Sequence, residues 1–237
     1  METQQILTDS VRFQVPAGEI TGYLAHPAAP GSYPALIVAH EMWGLTEHVC
    51  DVTRRFAREG YFAIAPDMYS RLGHPIVPTG EKDRAFRLMD ELKIADGIDD
   101  LLATMRWIKD QPGANRSPIG ITGFCMGGTY SIELACATDD LKAAAPFYGQ
   151  VAPDERLAAL KCPVLYIGAE LDYWAPVEQA QRLNAALKRY GKPGEVVIYK
   201  NVPHAFFNDA RPEVYHEAEA KAAWNKTLEF LNRYLKR

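Results

Sequence analysis

The chain lacks several features that mark other classes of protein. No stretch of its 237 residues is apolar for long enough to cross a bilayer, and its polar start does not have the basic and then apolar layout of a signal peptide. Lysine and arginine form no cluster, and the net charge of −4 does not favour nucleic acid or an anionic membrane as a partner. We therefore expect a cytoplasmic protein with neither nucleic acid nor membrane as a partner.

Repeats, low-complexity tracts and metal-binding motifs are also missing. The histidines show no HExxH or comparable spacing, so we expect no metal and no cofactor. The four cysteines lie far apart with no CxxC, which favours reduced thiols over disulfides or a zinc site. With 48% hydrophobic content, residues 1–237 are expected to form one domain with a large core. A monomer is expected, and a dimer remains possible.

Short apolar runs alternate with helical patterns along the chain. Residues 35–39 form a continuous apolar run, which is typical of a strand buried on both faces of a parallel sheet. A helix over 47–59 and a strand over 61–66 follow, which predicts a right-handed parallel crossover. Two β-like runs, 11–15 and 20–25, predict an N-terminal hairpin that turns at 16–19.

The rest of the chain continues this alternation. The irregular segment 67–80 follows a strand, a position where loops commonly cover a site. The further predicted elements are helices within 81–110, a loop over 111–118, strands at 119–124, 143–148, 163–168 and 195–199, and helices at 177–190 and at the C-terminus. The order predicts an α/β protein with a mostly parallel central sheet and helices on both faces.

The most informative motif is Gly123-x-Cys125-x-Gly127, which lies where a buried strand turns into a helix. It resembles the nucleophile elbow of the α/β-hydrolases, with sulfur in place of the usual hydroxyl. A Cβ at either glycine would collide with a neighbouring strand or helix, and the helix N-terminus favours thiolate over thiol. Cys125 is therefore the candidate nucleophile, and the other three cysteines are assigned to the core or to helix faces.

A thiol nucleophile needs a histidine held by a carboxylate, and in this fold the chain order is nucleophile, acid, histidine. Asp172 follows the strand at 163–168, and His204 follows the strand at 195–199. We therefore predict that Cys125, His204 and Asp172 form a catalytic triad.

The segment His40-Glu41-Met42-Trp43-Gly44 directly follows the strand at 35–39. A loop in this position supplies one donor of an oxyanion hole, and the residue after the nucleophile supplies the other. The backbone N–H groups of Met42 and Met126 are the predicted donors. Glu41 is unusual in such a loop. A carboxylate beside the thiol would accept the proton of the thiol, or would hold the thiol neutral until substrate arrives.

These motifs together resemble the dienelactone hydrolase (carboxymethylenebutenolidase) family over nearly the whole chain. The marks of the resemblance are the loop at 40–44, Ala65-Pro66-Asp67-Met68-Tyr69, the elbow at 123–128, Phe147-Tyr148-Gly149, Asp172 and Pro203-His204-Ala205-Phe206. The resemblance implies a hydrolase that opens an unsaturated lactone to a keto acid such as maleylacetate during the breakdown of aromatic compounds. It also implies that Glu41 takes the thiol proton when substrate binds.

One residue departs from the family pattern. Members that act on dienelactone carry an arginine four residues after the histidine, and this chain has Asn208 there. An amide cannot neutralise a substrate carboxylate. Arg84 is the candidate for a second expected arginine. The residues predicted to line an apolar pocket are Trp43, Phe86, Tyr148 and Phe206.

Two further functions stay open at this point. A general carboxylesterase acting on neutral or larger substrates would keep the triad and would explain Asn208. A redox-responsive thiol protein on the same scaffold would oxidise at Cys125 without turning over substrate.

Overall fold

The computed structural model describes residues 4–15 and 18–236. In this part of the chain, eight strands form one sheet in the order β1-β2-β4-β3-β5-β6-β7-β8. The strands are β1 (Ile6–Val15), β2 (Gly18–Pro27), β3 (Tyr33–Ala39), β4 (Phe62–Pro66), β5 (Ala114–Phe124), β6 (Leu141–Phe147), β7 (Val164–Ala169) and β8 (Gly194–Tyr199). β1 and β2 pair in antiparallel fashion, β2 is antiparallel to β4, and the remaining pairs are parallel.

Helices cover both faces of the sheet. They are α1 (Glu47–Arg58), α2 (Lys82–Glu91), α3 (Ile94–Lys109), α4 (Met126–Ala137), α5 (Asp154–Leu157), α6 (Val177–Arg189) and α7 (Glu217–Leu235). Alternate residues of β3 enter opposite cores: Ile37 packs with the side chains of α3, α4 and α6, while Leu36 and Val38 pack with those of α1 and α7. The α/β-hydrolase fold predicted from the sequence is confirmed.

The crossover from β3 through α1 to β4 is present, and the two strands pair in parallel as expected. The hairpin of β1 and β2 is also present, although residues 16 and 17 of its predicted turn lie outside the described residues. The predicted loop over 111–118 was wrong in part, because β5 already begins at Ala114. Ala114 pairs with Tyr33, and a register shift separates this pair from the regular pairing that starts at Ala35. An irregularity of this kind interrupts the apolar pattern that sequence reading depends on.

The carboxyl ends of β3, β5, β7 and β8 meet at one edge of the sheet, since these strands are parallel members of one sheet. The segment 67–80 follows β4 and contains a short 3-10 turn at Ser70–Leu72. It packs on the loop after β3, because the Val77 N–H donates to the Trp43 carbonyl at 2.9 Å. Among the described residues, no helix combines the length and apolar character needed to cross a membrane.

Candidate active site

Cys125 lies at the turn from β5 into α4, with a φ of 56° and only 5% of its surface exposed. The neighbouring glycines allow this turn. A Cβ on Gly123 would lie 2.2 Å from the Gly127 carbonyl oxygen, and a Cβ on Gly127 would lie 2.2 Å from the Ala39 carbonyl oxygen. Positive φ at a non-glycine residue is strained and is found mainly at functional sites. The elbow predicted from the spacing of the glycines is present.

Asp172 and His204 meet beyond the ends of β7 and β8, which are neighbours in the sheet. The Nδ1 atom of His204 donates to Oδ2 of Asp172 at 2.7 Å. The other carboxylate oxygen of Asp172 accepts the backbone N–H groups of Trp174 and Ala175, at 2.8 and 2.9 Å. Both oxygens of this buried carboxylate are therefore engaged, which fixes the orientation of the imidazole ring.

The charges around His204 hold a proton on its ring. Burial by itself lowers the pKa of His204, but the neighbouring Cys125 and Asp172 side chains act in the opposite direction and raise it from 6.5 to about 10. Cys125 is near enough to the ring to contribute to this shift, so Cys125, His204 and Asp172 are neighbours at this edge of the sheet. An imidazolium ion in this position can hand its proton to a leaving group.

Glu41 is buried on the loop after β3, with 2% of its surface exposed. Its Oε2 atom accepts a hydrogen bond of 2.7 Å from Nδ2 of Asn208, which is itself 3% exposed. A buried carboxylate needs such a partner, because desolvation of an unpaired charge is costly. The residue that replaces the expected arginine therefore binds Glu41. The departure from the family pattern at Asn208 was visible in the sequence, but its contact with Glu41 was not.

The loop that carries Met42, one of the two predicted oxyanion donors, is held from two sides. Tyr69 donates its hydroxyl to the Met42 carbonyl at 3.0 Å and lies 3.4 Å from the sulfur of Met126. Nε2 of His40 accepts the Met68 N–H at 3.0 Å, so Nδ1 carries the proton and donates to the Glu41 carbonyl at 2.6 Å. Sequence analysis missed this role of Tyr69, although the segment that contains it was recognised as a family motif.

Met126 is the first residue of α4, and the first N–H groups of a helix have no acceptor within the helix. The elbow is also joined directly to the loop after β3, because the Gly127 N–H donates to the His40 carbonyl at 3.1 Å. The two segments predicted to form the oxyanion hole are thus adjacent.

The predicted pocket residues fall in different environments. Tyr148 and Phe206 are fully buried, and the Tyr148 ring lies 4.9 Å from that of His204, centroid to centroid. Trp43 is also buried, and the Arg211 guanidinium stacks on its ring at 5.7 Å. Tyr148 and Phe206 belong to the core cluster that contains Cys125, whereas Trp43 packs in a separate small cluster with Met42. Arg211 was not found from the sequence.

Arg84 lies on α2 with 48% of its side chain exposed, and it forms an ion pair of 3.1 Å with Glu81. Phe86, on the same helix, is partly buried against a small cluster that contains Met42 and Trp43. The geometry therefore gives Arg84 a partner on its own helix rather than among the triad residues.

A cavity of about 270 Å³ lies beside the triad, between α2, α3 and the start of α4. Its apolar lining consists of Met89, Leu92, Ile94, Met126, Tyr130 and Trp174. Trp174 is the link to the triad, because its ring lies 5.3 Å from that of His204 and its backbone N–H binds Asp172. None of these cavity residues except Met126 was singled out from the sequence, since only the fold brings α2 and α3 next to the loop after β7.

A mostly parallel sheet with a nucleophile elbow after β5, an acid after β7 and a histidine after β8 defines an enzyme of the α/β-hydrolase class. The family model described as "Dienelactone hydrolase family" matches residues 20–235. The chain belongs to the dienelactone hydrolase family, and it is a hydrolase.

Individual proteins show the same relationship. A protein of Methylorubrum extorquens named "Putative carboxymethylenebutenolidase" is 31% identical, over 97% of this chain and 82% of its own. "Protein usf" of Aquifex pyrophilus is 32% identical, over 95% of this chain and 98% of its own. A crystal structure named "Putative Dienelactone Hydrolase", from Klebsiella pneumoniae, is 29% identical with a TM-score of 0.87, and it covers 97% of this chain and 100% of that chain.

Proposed function

We propose that this hydrolase opens a lactone or cleaves an ester with Cys125 as its nucleophile. The observation that carries the proposal is the position of Cys125 at the turn from β5 into α4, beside a histidine whose Nδ1 atom binds the buried carboxylate of Asp172 at 2.7 Å. The thiolate attacks the carbonyl carbon, and the bond from that carbon to the alcohol oxygen breaks as His204 protonates this oxygen. The N–H groups of Met42 and Met126 bind the negative carbonyl oxygen, where each donor contributes about 3 kcal/mol.

The thioester left on Cys125 is then hydrolysed. His204, now neutral, takes a proton from water, and the resulting hydroxide attacks the thioester carbon and releases the acid together with the thiolate. Asp172 keeps the imidazole in the tautomer that these transfers need. Glu41, anchored by Asn208, takes the proton of the Cys125 thiol when substrate binds, which generates the attacking thiolate, and returns this proton to the sulfur after the acid has left.

The first candidate substrate is an unsaturated lactone of the dienelactone type, opened to a keto acid such as maleylacetate in the breakdown of aromatic compounds. A second candidate is a neutral or larger ester or lactone. The contact between Asn208 and Glu41 favours this second candidate, because the amide occupies the place of a carboxylate-binding cation and already has a partner.

The test compares hydrolysis of dienelactone and of ethyl acetate by the wild type, by Cys125→Ala and by Cys50→Ala. Cys50 is another buried cysteine, on α1, and serves as the matched control. We expect Cys125→Ala to lose about 1,000-fold or more in kcat on every substrate, while Cys50→Ala keeps its activity. Equal rates for the wild type and Cys125→Ala would exclude Cys125 as the nucleophile, whereas oxidation of Cys125 in a wild type that turns over no substrate would favour the redox-responsive alternative.

We also propose that the enzyme works as a cytoplasmic monomer of one domain, on a small molecule and without a nucleic-acid or membrane partner. The net charge of −4 supports the absence of a nucleic-acid or anionic-membrane partner. Size-exclusion chromatography with light scattering tests the monomer directly.

A further inference from the structure

Two residues of the cavity lining are direct neighbours of the predicted catalytic residues. Met126 lines the cavity and directly follows the nucleophile, and Trp174 lines it while packing on the ring of His204. A group that extends from a carbonyl bound at Cys125 therefore reaches the cavity between these two side chains.

The inner wall of the cavity is apolar. Leu92, Met126 and Tyr130 are almost fully buried there, and Met89 and Ile94 lie nearer the surface. The hydroxyl of Tyr130 does not serve the cavity, because it donates to the Leu92 carbonyl at 3.0 Å. Apolar walls without a fixed polar group favour an apolar occupant, since its burial removes apolar surface from water on both sides.

The polar groups on the lining bind one another. The Gln150 N–H donates to the Thr129 hydroxyl at 2.9 Å, and its side-chain amide lies 3.4 Å from the Trp174 carbonyl. Lys93 is the one cation on this lining, and its ammonium donates to the Asp90 carbonyl at 2.9 Å. The Asp90 carboxylate also lies on the rim, so the charges there have opposite signs. The lining therefore carries no net positive charge to attract a substrate carboxylate, which would lose its hydration against the apolar inner wall.

We propose that this cavity is the subsite for an uncharged, apolar part of the substrate, an alkyl or aryl group attached to the ester or lactone. The inference rests on the proposed function of Cys125 and adds the substrate class to it. Selectivity for apolar esters over their carboxylated analogues follows from the composition of the walls.

Ile94 gives access to the test. It is the first residue of α3, it lies on the rim of the cavity, and 41% of its surface is exposed. A tryptophan at this position narrows the mouth without replacing a core side chain. Leu7→Trp is the matched control, because Leu7 is 54% exposed on β1 and is not part of the cavity lining.

The experiment measures kcat/KM for ethyl acetate, ethyl hexanoate, hexyl acetate and the monoethyl ester of adipic acid. In the wild type we expect kcat/KM for ethyl hexanoate or for hexyl acetate, which each carry a six-carbon chain, to exceed that for ethyl acetate by about 10-fold or more. Each methylene bound in an apolar pocket adds to transition-state binding. Ile94→Trp should lower the ratio of these kcat/KM values toward one, and Leu7→Trp should leave the ratio unchanged. Monoethyl adipate, in which a carboxylate replaces the terminal methyl group of the hexanoyl chain, should be at least about 10-fold poorer than ethyl hexanoate.

The two proposals fail in different ways. The subsite is refuted if the wild type shows no advantage in kcat/KM for the esters with a six-carbon chain, or if Ile94→Trp keeps this advantage. It is also refuted if monoethyl adipate and ethyl hexanoate have equal kcat/KM values. The nucleophile is refuted only if Cys125→Ala still hydrolyses ethyl acetate at the wild-type rate. An enzyme that prefers the carboxylated ester would keep Cys125 and lose the apolar subsite.

Discussion

Replacing Asn208 by leucine should show how strongly the buried Glu41 depends on its amide partner. The 2.7 Å contact joins two side chains that are each at most 3% exposed, so solvent cannot replace the lost donor. A hydrogen bond to a charged group contributes about 1.5–3 kcal/mol to the free energy of unfolding. Asn208 also accepts the Ala210 N–H at 3.1 Å, which adds about 1 kcal/mol. The single substitution should therefore lower the free energy of unfolding by about 2–4 kcal/mol.

A double-mutant cycle separates the two contributions. Glu41→Met removes the acceptor at similar volume, and combining it with Asn208→Leu gives the coupling energy of the pair. Urea unfolding at pH 7 should yield a coupling of about 1.5–3 kcal/mol, because the Ala210 contact cancels in the cycle. Glu41→Gln keeps an oxygen acceptor without the charge, and its coupling should fall to about 1 kcal/mol. A coupling below about 0.5 kcal/mol for Glu41→Met would refute the view that Asn208 anchors the carboxylate.

Three further outcomes are expected. Gly127→Ala should lower the free energy of unfolding in urea by about 3 kcal/mol or more, because its Cβ would lie 2.2 Å from a backbone carbonyl. Gly80 has open space around it, so Gly80→Ala should be neutral or stabilising. Equal effects of the two substitutions would contradict the close packing of the elbow. The pKa of His204 is about 10 in the folded protein, and its ordinary value is 6.5. The stability that the ion pair with Asp172 contributes should therefore be complete below pH 6.5 and be lost as the pH rises through 10. Asp172→Asn should flatten this pH dependence of the free energy of unfolding, and parallel stability curves for the two proteins would argue against the ion pair. Tyr148→Phe removes a buried hydroxyl that has no hydrogen-bond partner within the described structure, so it should raise the free energy of unfolding by about 1 kcal/mol without changing kcat, and a loss of kcat would show that the hydroxyl takes part in the reaction.

The positions of the chemical groups were readable from the sequence because they follow strands. Cys125, Asp172 and His204 lie one, three and five residues after the ends of β5, β7 and β8, and parallel strands place such residues at one edge of a sheet. The spacing of the glycines at the elbow was equally informative, since the close backbone contacts at Gly123 and Gly127 leave no other choice of residue.

Contacts between side chains distant in sequence were not readable. Asn208 was recognised as a departure from the family pattern, yet its bond to Glu41 joins residues 167 positions apart. The stacking of Arg211 on Trp43 is of the same kind. Sequence analysis named Arg84 as the candidate for a substrate-binding arginine, and about half of this side chain is exposed on α2. Neither periodicity nor spacing reports which rotamers meet once loops from different strands converge.

The sequence by itself thus determined the fold class and the order of nucleophile, acid and histidine, because local apolar patterns fix strands and helices, and strand ends fix where loop residues go. Only the tertiary structure decided what surrounds the triad: the amide that holds Glu41, the tyrosine behind the oxyanion loop, and the apolar cavity between α2, α3 and α4. These features depend on how separate loops and helices pack against one another, and close packing is a property of the assembled chain rather than of any one segment.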